Sequence, residues 1–388
     1  MRRRRAGAAC GWEPPGSWRP PCGRRGAILY SVDARDKRGL WDARDKRGLE
    51  ASVIILGIET SCDDSAVGIY CSERKVLASV LATQLEHRAT GGIVPEVASR
   101  AHLRNLPPVL RAALEDAQLG PADVDAIAVT RGPGLLGSLL VGLAFARSLG
   151  ESWGRPVLGV HHIEAHLLAN RLEREMVFPS IALVVSGGHS QLILMRAAGD
   201  YALLATTRDD AAGEAFDKAA KVAGLGFPGG PVIERLGATG DPRGFAFPVA
   251  RLSNGGLDFS FSGLKTAARL AWEEEGPLEG QRLADYCASL QDAIIRQLLD
   301  RLGRSLQGRD VRACYLAGGV AANRTLLAAT TAMLAPLGIP VHAPSPRYCT
   351  DNGAMVACAG AWRLADTGDA GGLAPFPRGV LRSWGAPS

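Results

Sequence analysis

Val53-Ile54-Ile55-Leu56-Gly57-Ile58-Glu59 is a β-branched apolar run that stops at Thr60-Ser61-Cys62-Asp63-Asp64-Ser65 and resumes as Ala66-Val67-Gly68-Ile69-Tyr70. Two such runs around a short polar stretch read as a hairpin. The same grammar returns after Ser180. Ile181-Ala182-Leu183-Val184-Val185 is a strand, Ser186-Gly187-Gly188-His189-Ser190 a turn, and Gln191-Leu192-Ile193-Leu194-Met195 the returning strand. Between the units, Leu103 to Gln118 has helical periodicity, Ala126 to Thr130 and Val157 to Val160 read as buried strands, and an apolar helix runs up to Leu149. Two strand–turn–strand units, each followed by helices, predict an α/β fold of two duplicated lobes. The expected boundaries are 53–179 for the N-terminal lobe, 180–378 for the C-terminal lobe and 379–388 for a tail.

Outward from these lobes, residues 1–52 do not read as fold. Four arginines follow Met1, Pro14-Pro15 and Pro20-Pro21 sit among glycines, and Asp33 to Leu40 recurs as Asp42 to Leu49. Two copies are too few for a solenoid. The segment reads as a disordered extension or a misplaced start; an Arg-rich transit peptide is the alternative, weakened by the prolines. It carries 13 Lys/Arg against 6 Asp/Glu, leaving 31 against 33 for the rest, so the net charge of +5 gives the lobes no general affinity for nucleic acid. The longest apolar stretch, Leu135 to Ala146, is far short of the ~20 residues a membrane helix needs. The eight cysteines form no C-x-x-C pair and several lie in apolar runs, which reads as reduced thiols of a cytoplasmic protein.

The chemistry concentrates in turns at strand ends. Ser186 to Ser190 and Gly318-Gly319-Val320-Ala321-Ala322-Asn323-Arg324 each follow a strand, and Pro228-Gly229-Gly230-Pro231 is expected to open a helix at Val232. Backbone N–H groups in such turns make anion nests, and several in one chain favour a nucleotide cleft between the lobes. Asp63 and Asp64 fit such a cleft as handlers of a metal, a water or a proton; turn formation is the plainer reading. In His161-His162-Ile163-Glu164-Ala165-His166, His162 and His166 share a helix face and can bind one divalent metal. A zinc protease needs glutamate directly after the first histidine. Glu164 lies about 200° around the helix, which disfavours a metalloprotease. The third ligand must come from elsewhere: Asp351 is the best isolated carboxylate, and a helix N-cap is its other reading. Asp209 to Lys221 reads as a charged helix whose Glu214–Lys218 and Asp217–Lys221 spacings suit ion pairs on a solvated face.

Taken together, Leu56 to Asp64, Gly91-Gly92-Ile93-Val94-Pro95-Glu96, His161 to His166, Val185 to His189, Asp209 to Lys218, Asp258 to Lys265, Gly318 to Asn323 and Thr350-Asp351-Asn352-Gly353 resemble the tRNA N6-adenosine threonylcarbamoyltransferase family, bacterial TsaD branch. The resemblance runs from about Val53 to Arg378, with Ser65 where threonine is more usual. It implies an actin-like ATPase fold, shared with sugar kinases and heat-shock chaperone ATPases, with two lobes around a nucleotide cleft. It implies transfer of threonylcarbamoyl from threonylcarbamoyl-AMP to N6 of the adenosine 3′-adjacent to the anticodon, in tRNAs reading ANN codons. His162, His166 and Asp351 match the ligands of one iron or zinc ion. Val185, Ser186, Gly187, Gly188, His189, Asp217, Gly230 and Asn323 match contacts to the adenylate, and Glu234 matches a nucleotide contact of the archaeal-type branch. ATP or ADP in the cleft, tRNA, a TsaB-like paralogue and a TsaE-like ATPase are the implied ligands and partners, without a membrane. Asp63 is the first candidate for the general base. A sugar kinase or ATPase of the same fold is a rival that the two-histidine site argues against. A non-catalytic partner subunit is another, expected to lack the metal ligands and several of the glycine turns.

Overall fold

Every residue of Ile54–Glu59 is buried, as expected of a strand covered on both faces. It is the centre of a computed structural model that describes residues 28–31, 53–73, 75–87, 92–250, 255–367 and 372–384. The first sheet contains β1 (Ile28–Ser31), β2 (Ile54–Glu59), β3 (Asp64–Cys71), β4 (Lys75–Thr83), β5 (Ala126–Gly132) and β6 (Val157–His161), in the order β1-β4-β3-β2-β5-β6. The predicted hairpin is β2–β3, paired antiparallel from Ile54↔Cys71 to Glu59↔Ala66. β5 and β6 then add in parallel. The helix α1 (Pro95–Ala117) precedes β5, α2 (Leu136–Trp153) joins β5 to β6, and α3 (His162–Leu168) follows β6 directly.

The second sheet repeats this order. β7 (Ser180–Val185), β8 (Ser190–Ala197) and β9 (Asp200–Thr206) form the antiparallel meander. The helices α4 (Ala212–Val222), α5 (Gly229–Leu236), α6 (Ser262–Glu275) and α7 (Gly280–Ser305) follow. β10 (Ala313–Ala317) then pairs parallel to β7, α8 (Arg324–Leu334) crosses over, and β11 (Val341–His342) completes the order β11-β10-β7-β8-β9. Strand for strand this is β6-β5-β2-β3-β4 again, the duplication legible in the two hairpins. The short α9 (Pro346–Cys349) leads into α10 (Gly353–Thr367).

Three features depart from the expected layout. Within residues 1–52 the structure describes β1, which pairs antiparallel with β4 at the edge of the first sheet; the arginine run and the repeat at 33–49 lie outside the described residues. Helix starts differ too, and for α4 and α5 remote acceptors set them. The helix α1 begins at Pro95, where proline suits a first turn, well before Leu103. The helix α4 begins only at Ala212, since Asp209 accepts the Phe261 N–H (2.7 Å) and Asp210 accepts from Lys218 and Lys265. The helix α5 begins at Gly229, whose N–H donates to Asp217 (2.7 Å).

The third departure matters most for the site. The helix α10 belongs by sequence to the second lobe, yet it lies on β2 and β3 of the first sheet. Its buried run Ala354 to Ala359 shares one core with Ile55, Ala128 and Leu158 on one side and Ala182, Val184 and Tyr315 on the other. The approach is backbone to backbone. A Cβ on Gly57 would stand 2.2 Å from the Gly353 carbonyl oxygen and 2.3 Å from the Ala357 nitrogen; one on Gly68 would stand 2.2 Å from the Ala354 nitrogen. No rotamer change relieves a clash with backbone. Gly57→Ala is therefore expected to cost about 1–3 kcal/mol, as overpacking does, and to lower the melting temperature by several degrees. Gly263→Ala, whose new methyl meets nothing within 4 Å, should be neutral; equal melting temperatures for the two variants would refute this contact.

Candidate metal centre and active site

The histidines are placed by the junction of β6 and α3. His161 ends the strand and its Nδ1 accepts the Ile163 N–H (3.2 Å), capping the helix. One turn separates His162 from His166, and their buried rings meet edge to face with centroids 4.6 Å apart. Asp351 arrives from the far end of the chain. The expected alternative, that Asp351 caps the following helix, is corrected here: Asn352 Oδ1 accepts the Met355 N–H (2.8 Å), so Asn352 is the cap. Asp351 is thereby free to face the histidines, with Oδ1 3.1 Å from His166 Nε2 and 3.7 Å from His162 Nε2. One ligand atom from each of the three residues lies within 4.8 Å of the others.

Glu59, which sequence reasoning missed, orients the centre from behind. It is fully buried at the end of β2. Its Oε2 lies 3.1 Å from His162 Nδ1 and accepts the Thr130 hydroxyl (2.6 Å), while Oε1 accepts the Ser61 N–H (2.5 Å). With Nδ1–H donated to the carboxylate, Nε2 is the nitrogen turned towards Asp351. This is the carboxylate–histidine arrangement that sets the tautomer of a metal ligand. A glutamate closing an apolar strand was the available signal, since a buried carboxylate needs a partner.

Burial alone would lower the His162 imidazole, but the carboxylates of Glu59 and Asp351 outweigh it and raise it to about 9. Burial would likewise raise Asp351; His162 and His166 outweigh it and hold the carboxylate well below its usual range. Burial first, and the neighbouring imidazoles second, push His161 and His189 down to about 3. The pocket therefore favours positive charge at His162 and keeps His161 and His189 neutral. Both ring nitrogens of His166 are buried without a hydrogen-bond partner, the Asp351 approach lacking hydrogen-bond direction. Two imidazoles and a carboxylate with an unsatisfied nitrogen fit a divalent cation. Glu164 does not face this centre. Its Oε1 accepts from Tyr201 Oη (2.9 Å) and Trp384 Nε1 (2.7 Å), consistent with the expectation against protease chemistry.

The glycine turns meet beside the metal centre. Ser186 N–H donates to the His189 carbonyl (2.8 Å), closing the turn after Val185, and the His189 ring centroid lies 6.1 Å from that of His162. A Cβ on Gly213 at the start of α4 would meet the Ser186 oxygen at 2.5 Å, and one on Gly318 would meet the Val185 oxygen at 2.4 Å. Only glycine allows these three segments to touch. Gly187 and Gly188 are exposed, with open space where a Cβ would stand, and Gly230 has similar room. Asp217 holds the Gly229 N–H at the start of α5, and Glu234 Oε1 accepts the Arg324 N–H (2.7 Å). The expected Glu214–Lys218 pair is formed (2.8 Å). Asn323 is engaged within the protein. Its Oδ1 caps α8 through the Leu326 N–H (2.8 Å), and its Nδ2 donates to Gln291 (2.7 Å).

Asp63 and Asp64 leave the first turn in different environments. Asp63 is raised by burial and then by the charge of Asp351, which ties it electrically to the candidate metal site. Asp64 is raised to about 8, chiefly by burial and then by Asp63, and its Oδ1 has no hydrogen-bond partner. It holds its proton at neutral pH and cannot serve there as a base. A folded-state value above the unfolded one means that the native state binds more protons between pH ~4 and ~8, so this group's contribution to stability is lost as pH rises through that window. Asp64→Asn removes the titration. Its melting temperature relative to the parent chain should climb from pH 4 to pH 8 and then level; a pH-independent difference would contradict the assignment.

A family model described as TsaD, tRNA N6-adenosine threonylcarbamoyltransferase, matches residues 75–358. A protein of that name from Anaeromyxobacter dehalogenans (strain 2CP-C) is 50% identical over 313 residues, covering 80% of this chain and 94% of its own length. Another, from Brucella anthropi, is 48% identical over 346 residues, covering 86% and 96%. Among solved structures, full-length HypF in a phosphate- and nucleotide-bound form superposes with a TM-score of 0.55 at 13% identity, covering 82% of this chain and 56% of that one. T. kodakarensis HypF gives 0.55 at 16% identity, covering 81% and 48%. These likenesses bear on the fold, which is of the actin-like ATPase type. With a family model spanning most of both lobes and relatives near half identity over four-fifths of its length, the chain belongs to the TsaD family of tRNA N6-adenosine threonylcarbamoyltransferases.

Proposed function

We propose that the chain transfers threonylcarbamoyl from threonylcarbamoyl-AMP to N6 of the adenosine 3′-adjacent to the anticodon in tRNAs reading ANN codons. The observation that carries this is the adjacency of the His162–His166–Asp351 cluster to the open turn at Gly187-Gly188, a cation site beside an anion site. An adenine amine is a weak nucleophile because its lone pair is delocalised into the ring. The mixed anhydride compensates: N6 attacks the carbamoyl carbonyl, the carbon–nitrogen bond forms, and the carbon–oxygen bond to phosphate breaks with its electron pair leaving on AMP. Backbone N–H groups of Gly187 and Gly188, at the exposed tip of the turn, hold the phosphate and stabilise its growing charge. Val185 and Gly230 line the same adenylate site, with Asp217 and Glu234 near the nucleotide. Asp63 accepts the N6 proton, since Asp64 keeps its own.

His162, His166 and Asp351 would hold one iron or zinc ion, with Glu59 fixing His162. When bound, such a metal supplies a Lewis acid and template for the carbamoyl-threonine part. Neutral His189 beside it adds a hydrogen-bonding group without charge. Asn323, already committed to α8 and α7, acts on the adenylate by holding the Gly318 turn in place. The family resemblance supports a cytoplasmic setting with tRNA, a TsaB-like paralogue and a TsaE-like ATPase as partners. Among the described residues no helix is long and apolar enough to cross a membrane.

Depletion of the protein should remove threonylcarbamoyladenosine from cellular tRNA, read by mass spectrometry of nucleosides; an unchanged level sinks the assignment. A His162→Ala/His166→Ala double variant should lose its iron or zinc and its transfer activity together, and full metal occupancy would show the ligands to be others. Asp63→Asn is expected to slow single-turnover transfer by about 100-fold or more while donor affinity persists. A parental rate would remove Asp63 from the base role.

A further inference from the structure

The segment 372–384 has no regular structure, yet it is pinned at both ends to the metal-bearing region. At its near end the Phe376 N–H donates to the Arg131 carbonyl (3.0 Å), and the Gly134 N–H donates to the Pro377 carbonyl (3.3 Å). The Phe376 ring lies 5.3 Å from that of His161, at the foot of α3. Leu381 is 5% exposed and belongs to the core beneath α10. At the far end the Trp384 N–H donates to the Gly199 carbonyl (2.8 Å), and Ser383 Oγ accepts the Tyr201 N–H (2.9 Å). Gly199 has φ +68°, and a Cβ there would stand 2.2 Å from the Trp384 ring, so the indole is seated directly on the β8–β9 turn.

From that seat Trp384 Nε1 donates to Glu164 Oε1 (2.7 Å), the atom that Tyr201 Oη also reaches (2.9 Å). Glu164 lies between His162 and His166 on α3, a helix of only seven residues. So short a helix has little stiffness of its own, and its orientation is set by what grips it. Glu59 grips it on the ligand side through His162. Glu164 is the opposite grip, and a residue from β9 and one from the segment 372–384 supply it.

We propose that the segment 372–384 is a positioning element for the metal ligands: Trp384 together with Tyr201 fixes Glu164, and so sets the angle at which His162 and His166 meet Asp351. This rests on the reading of those three residues as a metal centre. Trp384 and Tyr201 touch neither metal nor substrate in this role; they act through Glu164.

The test uses the full chain loaded with zinc or cobalt(II). Tyr201→Phe deletes one hydroxyl, and Trp384→Phe deletes the indole N–H. Each should weaken zinc about 10-fold in competition with a chelator, the lower range for groups that orient ligands. Each should also shift the visible absorption of bound cobalt, which reports ligand geometry. Glu164→Gln, which retains the acceptor oxygen, should keep parental affinity and spectrum, and Glu164→Leu should lose both. Parental zinc affinity in Tyr201→Phe and Trp384→Phe overturns the proposal. A lowered melting temperature with an unchanged cobalt spectrum overturns it too, since that is the mark of a merely structural segment. If Trp384→Phe fails to fold, Tyr201→Phe decides alone. A parent chain that takes up neither metal stoichiometrically defeats the reading of the centre itself, and this result is distinct from variants that bind as the parent does.

Discussion

The first turn of α10 lies on β2 and β3 at a distance that leaves no room for a single methyl group. Asp351 stands two residues before that helix, Glu59 ends β2, and His162 follows β6 of the same sheet. The contact therefore sets the height of Asp351 above the strand whose Glu59 orients His162. Packing supports it from both sides: the small residues Ala354, Ala357 and Ala359 are wholly or almost wholly buried in a core drawn from both sheets. Apolar burial supplies the free energy and glycine supplies the approach, while the site takes only its geometry from them.

Charge then differentiates residues that look alike in the sequence. His161 and His162 are neighbours, yet one is driven to about 3 and the other to about 9. His162 has two carboxylates against it, whereas His161 has its own helix N–H, the Phe376 ring and cationic neighbours. Asp63 and Asp64 separate in the same way, because Asp64 carries the heavier desolvation and faces Asp63 as well. Adjacent histidines thus take opposite protonation states at neutral pH, while the adjacent aspartates are both raised, each by a different set of neighbours.

What could be read from the sequence was what local pattern encodes. The two hairpins, their repetition and the i,i+4 histidines all lie within short windows, and the structure has them in place. The illegible features depend on partners far along the chain. Nothing near Glu59 reveals that His162, 103 residues on, will take its carboxylate. Nothing near Asp351 shows that Asn352 will take over the capping bond and release it. The starts of α4 and α5 moved for the same reason, being set by Asp209, Asp210 and Asp217 rather than by periodicity. Nothing near Asn323 shows that Gln291 on α7 will accept from its amide.

The return of α10 to the first sheet also fixes an order of events during folding. β2 and β3 can pair early, since the hairpin is local, but one face of that sheet stays uncovered until a helix from the far end of the chain arrives. Contacts of such long sequence separation form late, after the loop-closure entropy has been met. Until then an apolar sheet face is exposed to other chains. His162 and His166 are four residues apart, whereas Asp351 comes from the far end of the chain, so the three-residue cluster is assembled only once α10 has docked. Completion of the candidate site is thereby coupled to completion of the fold.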